Sequence, residues 1–214
     1  MGLFVTEIFY SIQGESLHAG RPCVFVRLSG CNLRCDYCDT TYAYEPGKSM
    51  GILEIIDRVA AFECTLIEIT GGEPLLQHET PLLIRRLLDG GYETMVETNG
   101  SLDISPVDDR CTKVVDMKCP SSGEAAKNDL SNLGRLSPRD QLKLVIGTKE
   151  DYRYAKEILG RLDPGFPAHH VLFSPVFGKM KPSTLSEWII GDRLPVRLHL
   201  QLHKMVWPDI DRGV

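Results

Sequence analysis

Short apolar runs alternate with amphipathic helical stretches along this chain, and polar, glycine-bearing segments follow several of the runs directly. The alternation predicts an α/β fold with a parallel sheet, open or closed into a partial barrel. The polar segments fall at the C-terminal ends of the expected strands, where folds of this kind bind their ligands.

The first extended segment is Phe4-Val5-Thr6-Glu7-Ile8-Phe9, which runs into Ser11-Ile12-Gln13-Gly14-Glu15. By itself the second stretch is a polar turn. Gly14 also lets the backbone come close to a ligand, and Gln13 and Glu15 carry groups that match the edge of a guanine-like ring. Pro22 to Leu28 is a β-rich run. Arg27 interrupts it with a charge four residues before Cys31, so its side chain would point into a site. A guanidinium pairs with a carboxylate in bidentate geometry. Ile52, Ile55, Ile56, Val59 and Ala60 recur at helical spacing and predict an amphipathic helix over 51–63. Thr65 to Thr70 is the next strand. Leu82, Leu83, Leu87 and Leu88 predict a helix over 79–89, ended by Gly90-Gly91. Strands follow over 93–98, 113–117 and 141–146. Residues 119–138, rich in Ser, Asn, Gly and Pro, read as an irregular loop in place of a helix. Ala155, Ile158, Leu159 and Leu162 mark a further helix. Residues 171–174 and 196–202 supply the last strands, the latter ending in Gln201-Leu202-His203-Lys204.

The 214 residues suffice for one domain with a sizeable core. Apolar residues make up 43% and charged residues 25%, the balance of a soluble globular protein. A formal net charge of −5 leaves no global basic surface for nucleic acid. No apolar run is long enough to span a membrane, and Met1 to Glu7 lacks the basic start of a signal peptide. A cytoplasmic location and free thiols are therefore expected. Cys23, Cys64, Cys111 and Cys119 lie scattered at the edges of apolar runs and read as small core residues.

The remaining cysteines are different. Cys31, Cys35 and Cys38 fall within the polar stretch Gly30-Cys31-Asn32-Leu33-Arg34-Cys35-Asp36-Tyr37-Cys38-Asp39-Thr40. Thiolates select zinc, copper(I) or iron–sulfur clusters. Structural zinc and ordinary cubanes both want four ligands, and the local group stops at three. Three ligands leave one metal position open for chemistry. On spacing alone, a structural zinc with a distant fourth ligand stays open as well.

Cys-x3-Cys-x2-Cys with Tyr37 before the last cysteine resembles the cluster loop of radical S-adenosylmethionine enzymes. Ser11 to Glu15, Cys38-Asp39-Thr40, Gly71-Gly72-Glu73-Pro74, Glu97-Thr98-Asn99-Gly100, Asp116 to Gly123 and Gln201 to Lys204 together resemble the 7-carboxy-7-deazaguanine synthase family, from about residue 5 onward. The combination is far more specific than any one motif. Glycine turns, helix starts and Asn-Gly turns would account for several of them singly.

The resemblance implies a partial, modified TIM-type (βα) barrel of about six parallel strands with a short N-terminal extension, residues 1–214 forming a single radical S-adenosylmethionine core domain. It implies a carbon–nitrogen lyase of queuosine precursor biosynthesis that converts 6-carboxy-5,6,7,8-tetrahydropterin to 7-carboxy-7-deazaguanine with ring contraction and loss of ammonia. Cys31, Cys35 and Cys38 would hold a [4Fe–4S] cluster. Tyr37, Cys38, Asp39, Gly72, Glu73, Asn99, Lys118 and Ser121 would bind S-adenosylmethionine, and Thr40 a magnesium ion. Ile12, Gln13, Gly14, Glu15, Arg27, Thr70, His203 and the Val214 carboxylate would bind the pterin, Arg27 by its carboxylate. Lys118 could equally only pair with Asp116. Where many family members carry Gly after this Glu, the chain has Ser16, which predicts a slightly different loop. A homodimer and an external one-electron donor such as flavodoxin or ferredoxin are expected, with no nucleic acid or membrane partner. A radical-activating enzyme for a protein partner would share the cluster loop, but should lack segment 11–15 and Arg27.

Overall fold

The computed structural model describes residues 2–210 and 212–214. Its sheet runs in the order β3-β1-β2-β4-β5-β6-β7-β8-β9, with strands β1 (Leu3–Ile12), β2 (Pro22–Leu28), β3 (Lys48–Met50), β4 (Leu66–Gly71), β5 (Glu93–Thr98), β6 (Thr112–Met117), β7 (Gln141–Ile146), β8 (Val171–Pro175) and β9 (Arg197–Leu198). From β2 through β9 every pairing is parallel; β1 and β3 are added antiparallel at one edge. Six full parallel strands with an N-terminal extension match the expected partial barrel. Helices α1 (Ile52–Ala60), α2 (Thr80–Asp89), α3 (Lys149–Leu159) and α4 (Pro182–Gly191) cover the outside, and α5 (Leu202–Val206) follows β9.

The period of two along each strand separates a dry face from a functional one. Val24, Val26, Leu28, Ile67, Ile69 and Val96 join Ile55 and Val59 of α1 and Leu83, Ile84 and Leu87 of α2 in one core. Val115, Met117, Leu142, Leu144 and Ile146 join Tyr152, Ala155 and Ile158 of α3 and Leu185 and Ile189 of α4 in another. Each such side chain, fully buried, contributes about 1.5–3 kcal/mol. The alternate positions face inward. Low in the barrel, Cys23, Phe25, Leu66, Met95 and Val114 form a small apolar plug. Above it, charged residues replace apolar ones.

Several boundaries differ from the sequence expectation. The first strand extends through Ile12 because Ser11 and Ile12 still pair with Cys23 and Pro22. The last strand shrinks to Arg197–Leu198, and His203 lies in α5 rather than at a strand end. The cause is a long-range contact: the Leu202 N–H leaves the sheet and donates to the Gly14 carbonyl at 2.8 Å. Strand β3 is too short to have a readable period. Helix α4 was not expected, although Pro182 opens it and Leu185 and Ile189 are buried at helical spacing. Short 3-10 turns, and no α-helix, link β6 to β7, as the composition of 119–138 implied. Cys23, Cys111 and Cys119 are core residues; Cys64 is half-buried.

Candidate functional site

The cysteine loop leaves the C-terminal end of β2 and is tied down by the loops that leave β4 and β6. Glu73 N–H donates to the Gly30 carbonyl at 2.8 Å, and Asp36 N–H to Ser122 O at 3.1 Å. Arg34 N–H donates to Glu124 Oε1 at 2.7 Å, and Leu33 is buried beneath. Gly72 admits no side chain: a Cβ there would sit 2.1 Å from Gly30 O and 2.9 Å from Cys31 Cβ. Leu33 N–H points at Cys31 Sγ at 3.4 Å, and Asn99 Nδ2 lies 3.8 Å from it. Such N–H donors suit a thiolate better than a thiol. All three cysteines are free and half-buried on the wall of one cavity of about 480 Å³. Burial pushes the Cys35 thiol up to about 11, so ionising it calls for a metal, whose binding releases the proton. Among the described residues no three Cys, His, Asp or Glu side chains are gathered to hold a single metal ion. The three thiols on one cavity wall stop one ligand short of a closed structural zinc site.

Ile12, Gln13, Gly14, Glu15, Arg27, Tyr37, Asp39, Thr40, Thr70, Gly72, Asn99, Lys118, His203 and Val214 line the same cavity. Glu73 and Ser121 do not. Glu73 is fully buried and accepts from Leu75 N, Thr98 Oγ1 and Asn99 N, bracing the loop after β4. Ser121 donates its hydroxyl to Asp151 Oδ2 at 2.5 Å, which ties the loop after β6 to the capping box that opens α3. Lys118 Nζ meets Asp116 Oδ2 at 2.9 Å while still lining the cavity.

Segment 12–15 reaches the cavity by an unexpected route. Strand β1 runs antiparallel, so its end pairs with the start of β2. The chain then crosses the open side of the barrel. Leu17 N–H donates to Gln141 Oε1 at 2.8 Å, and Gly14 O accepts from Leu202 N–H. Side-chain bonds close the gap that strand pairing leaves: Gln201 Nε2 donates to Glu15 Oε1 at 2.9 Å, and Lys143 pairs with Glu15. A Cβ on Gly14 would lie 2.1 Å from His203 Nδ1. Ser16 holds φ at +64°, with His18 N–H bonded to its hydroxyl at 3.1 Å. It thus takes the left-handed shape that Gly adopts freely, at a cost of about 1–2 kcal/mol.

Inside the barrel the inward positions carry Arg27, Glu68, Thr70, Glu97, Asp116 and Lys143. Arg27 sits opposite Thr70, and Asp116 opposite Lys143, in the parallel register. Lys143 Nζ meets Glu15, lies 2.8 Å from Glu97 Oε1 and 3.8 Å from Asp116 Oδ2. Burial alone would push Glu15 up, but Lys143 and His199 bring it from 4.5 down to about 2. Burial opposes the Lys143 charge too, and Glu15, Glu97 and Asp116 more than restore it. Glu68 is raised to about 8 by burial and by Glu97 and Glu15, and accepts from Gln13 Nε2. At neutral pH the pocket floor therefore holds an ionised Glu15, a protonated Lys143 and a neutral Glu68. Neither Glu68 nor Lys143 was singled out from the sequence. Their signal was the one that exposed Arg27: a charge inside a strand that should be apolar on both faces.

Comparison with known proteins agrees with this geometry. The Radical SAM superfamily model matches residues 25–162. A 7-carboxy-7-deazaguanine synthase of Chlorobaculum tepidum is 47% identical, covering 99% of this chain and 97% of that protein. One from Koribacter versatilis is 40% identical over 98% and 99%. Among solved structures, QueE from Escherichia coli has a TM-score of 0.74 at 20% identity over 95% of each chain. Streptococcus suis SuiB bound to S-adenosylmethionine has a TM-score of 0.55 at 15% identity, covering 84% of this chain and 50% of that one. These two likenesses concern the fold. With full-length identity this high to the curated synthases, on a superfamily match spanning the cysteine loop, the chain belongs to the 7-carboxy-7-deazaguanine synthase family of radical S-adenosylmethionine enzymes.

Proposed function

We propose that the protein converts 6-carboxy-5,6,7,8-tetrahydropterin to 7-carboxy-7-deazaguanine, with Arg27 and Glu15 gripping opposite ends of the pterin. The observation that carries this is the convergence, in one cavity with the three-cysteine loop, of a guanidinium from β2 and an ionised carboxylate from segment 12–15. Cys31, Cys35 and Cys38 would hold a [4Fe–4S] cluster, and Asp39, Gly72, Asn99 and Lys118 would line the S-adenosylmethionine site. When bound, the cluster and S-adenosylmethionine would supply the radical chemistry that removes a hydrogen from C6 of the pterin. The protein's own residues orient, charge-match and exclude water. Arg27 and Thr70 face the pterin carboxylate from adjacent strands. Gln13 and Glu15 meet the N–H edge of the pyrimidine ring, with Glu15 kept ionised by Lys143. Thr40, whose hydroxyl now donates to Asp39 Oδ1 at 3.0 Å, offers an oxygen ligand for Mg2+. Over the mouth, Lys204 pairs with Asp39, Arg212 stacks on Tyr42, and Val214 reaches the cavity. The C-terminal segment thereby shields the site from water. A reduced external donor supplies the electron, and a homodimer in the cytoplasm is the expected form.

The test is anaerobic reconstitution with iron and sulfide, then incubation with reductant, S-adenosylmethionine, Mg2+ and the carboxylated tetrahydropterin. Mass spectrometry should find the deazapurine and ammonia in equal amounts. Cleavage of S-adenosylmethionine with the pterin left intact would overturn the substrate assignment.

A further inference from the structure

The carboxylate-binding end of the cavity contains a cradle behind Arg27. A register shift in β1 between Val5 and Glu7 brings Glu7 directly opposite Arg27 on β2. Bulges of this kind re-aim a side chain. Arg27 Nε donates to Glu7 Oε1 at 2.8 Å, and the Tyr42 hydroxyl donates to the same oxygen at 3.0 Å. The rings of Phe9 and Tyr42 stand 5.6 and 5.7 Å from the guanidinium carbon. Both charges are largely withdrawn from water, with side chains 14% and 20% exposed. Among the described residues, the two terminal nitrogens of Arg27 make no hydrogen bond. With Nε taken, the Nη1–Nη2 edge is what remains for an incoming carboxylate.

We propose that Glu7, pinned by Tyr42, is a positioning residue that fixes this edge of Arg27 toward the cavity and so sets the selectivity for a carboxylated pterin. The inference rests on the reading of Arg27 as the carboxylate's partner. Two effects of Glu7 oppose each other, which makes the sign of a test decisive. Its negative charge repels a second carboxylate, so if Glu7 served only to neutralise Arg27, removing it would tighten carboxylate binding. As a positioner it aligns a fork whose bidentate pairing depends on geometry, so removing it weakens carboxylate binding.

The measurement is the affinity of the reconstituted protein, with S-adenosylmethionine bound, for 6-carboxypterin and for pterin without the carboxylate. Their ratio isolates the contribution of the carboxylate, and the second ligand reports any general damage to the pocket. Glu7→Ala should lower the ratio about tenfold or more, the range of one charged hydrogen bond. Glu7→Gln keeps an acceptor for Nε and should restore most of the ratio. Tyr42→Phe frees the Glu7 carboxylate and should lower the ratio a few-fold. An unchanged or increased ratio in Glu7→Ala overturns the proposal. Arg27→Met separates the two layers. If it leaves the ratio intact, the assignment of Arg27 itself falls. If it collapses the ratio while Glu7→Ala does not, only the positioning role falls.

Discussion

Lys143→Met tests the electrostatics of the cavity floor most directly. The substitution keeps much of the side-chain volume on β7 and removes the cation that faces Glu15, Glu97 and Asp116. The ionised form of Glu15 is favoured from 4.5 down to about 2. At about 1.36 kcal/mol per pH unit this is worth about 3 kcal/mol. That stabilisation is present above pH 4.5 and is lost as pH falls toward 2. Without Lys143, burial dominates and the carboxylates move above 4.5. The variant then loses stability as pH rises, because its folded state must either hold a proton or bury an unpaired charge. Breaking a buried pair costs about 3–5 kcal/mol, or roughly 10 °C for a domain of this size. Urea denaturation of the cluster-loaded protein, followed by far-UV circular dichroism, should therefore give a loss of about 3 kcal/mol already at pH 5, where the Glu15 stabilisation is present, and a larger loss at pH 8, where the raised carboxylates add their own cost. An equal loss at both values would assign the effect to packing. No loss at pH 8 would refute the electrostatic argument altogether.

Glu68→Gln should act in the opposite sense. With its folded-state value raised to about 8, Glu68 costs stability progressively as pH rises from 4.5 to about 8, so the variant should melt higher than the parent at pH 8 and alike at pH 4.5. Gly14→Ala places a methyl 2.1 Å from His203 Nδ1; overpacking of about 1–3 kcal/mol should weaken pterin binding about tenfold in a titration while iron content stays unchanged. Replacing Cys31, Cys35 or Cys38 by Ala should sharply reduce iron and sulfide after reconstitution, yet leave the far-UV spectrum intact, because none of the three belongs to the apolar cores.

The parallel barrel and its cysteine loop were legible in the sequence because both are written in local patterns. Strand runs alternate with helical periods, and three thiols fall in one polar turn. The closure of the barrel was not legible. It depends on Leu17, Gly14 and Glu15 meeting Gln141, Leu202 and Lys143, pairs more than a hundred residues apart that no local period encodes. For the same reason the final strand is shorter than its apolar pattern implies: Leu202 leaves the sheet to satisfy Gly14. The reverse holds for Glu73 and Ser121. Both sit in motifs that point to ligand binding, but each side chain faces backbone donors or Asp151 rather than the cavity. Motif position located the loops correctly without fixing which way individual side chains turn. The shape of the loop after Glu15 is also set by its surroundings, since Ser16 keeps a left-handed backbone that its side chain disfavours.

The two ends of the cavity are built on one electrostatic plan. On β2 a cation, Arg27, faces the cavity with an anion, Glu7, behind it. Across the opening an anion, Glu15, faces the cavity with a cation, Lys143, beside it. Arg27 and Glu15 are each paired, in a nearly dry setting, with a group of opposite sign, which compensates the cost of burying it. On the proposed placement of the pterin, the field across the barrel favours one direction of a ligand with a carboxylate at one end and N–H donors at the other. A reversed ligand would set its carboxylate against Glu15 and its donors against Arg27, leaving like charges and unpaired donors in contact. Orientation is therefore decided before any chemistry occurs. For a reaction that begins with removal of one hydrogen, orientation decides which carbon the cysteine loop confronts. The stability cost of four carboxylates and two lysines inside a barrel is consistent with that role, since an apolar interior would pack as well but hold the substrate in either sense.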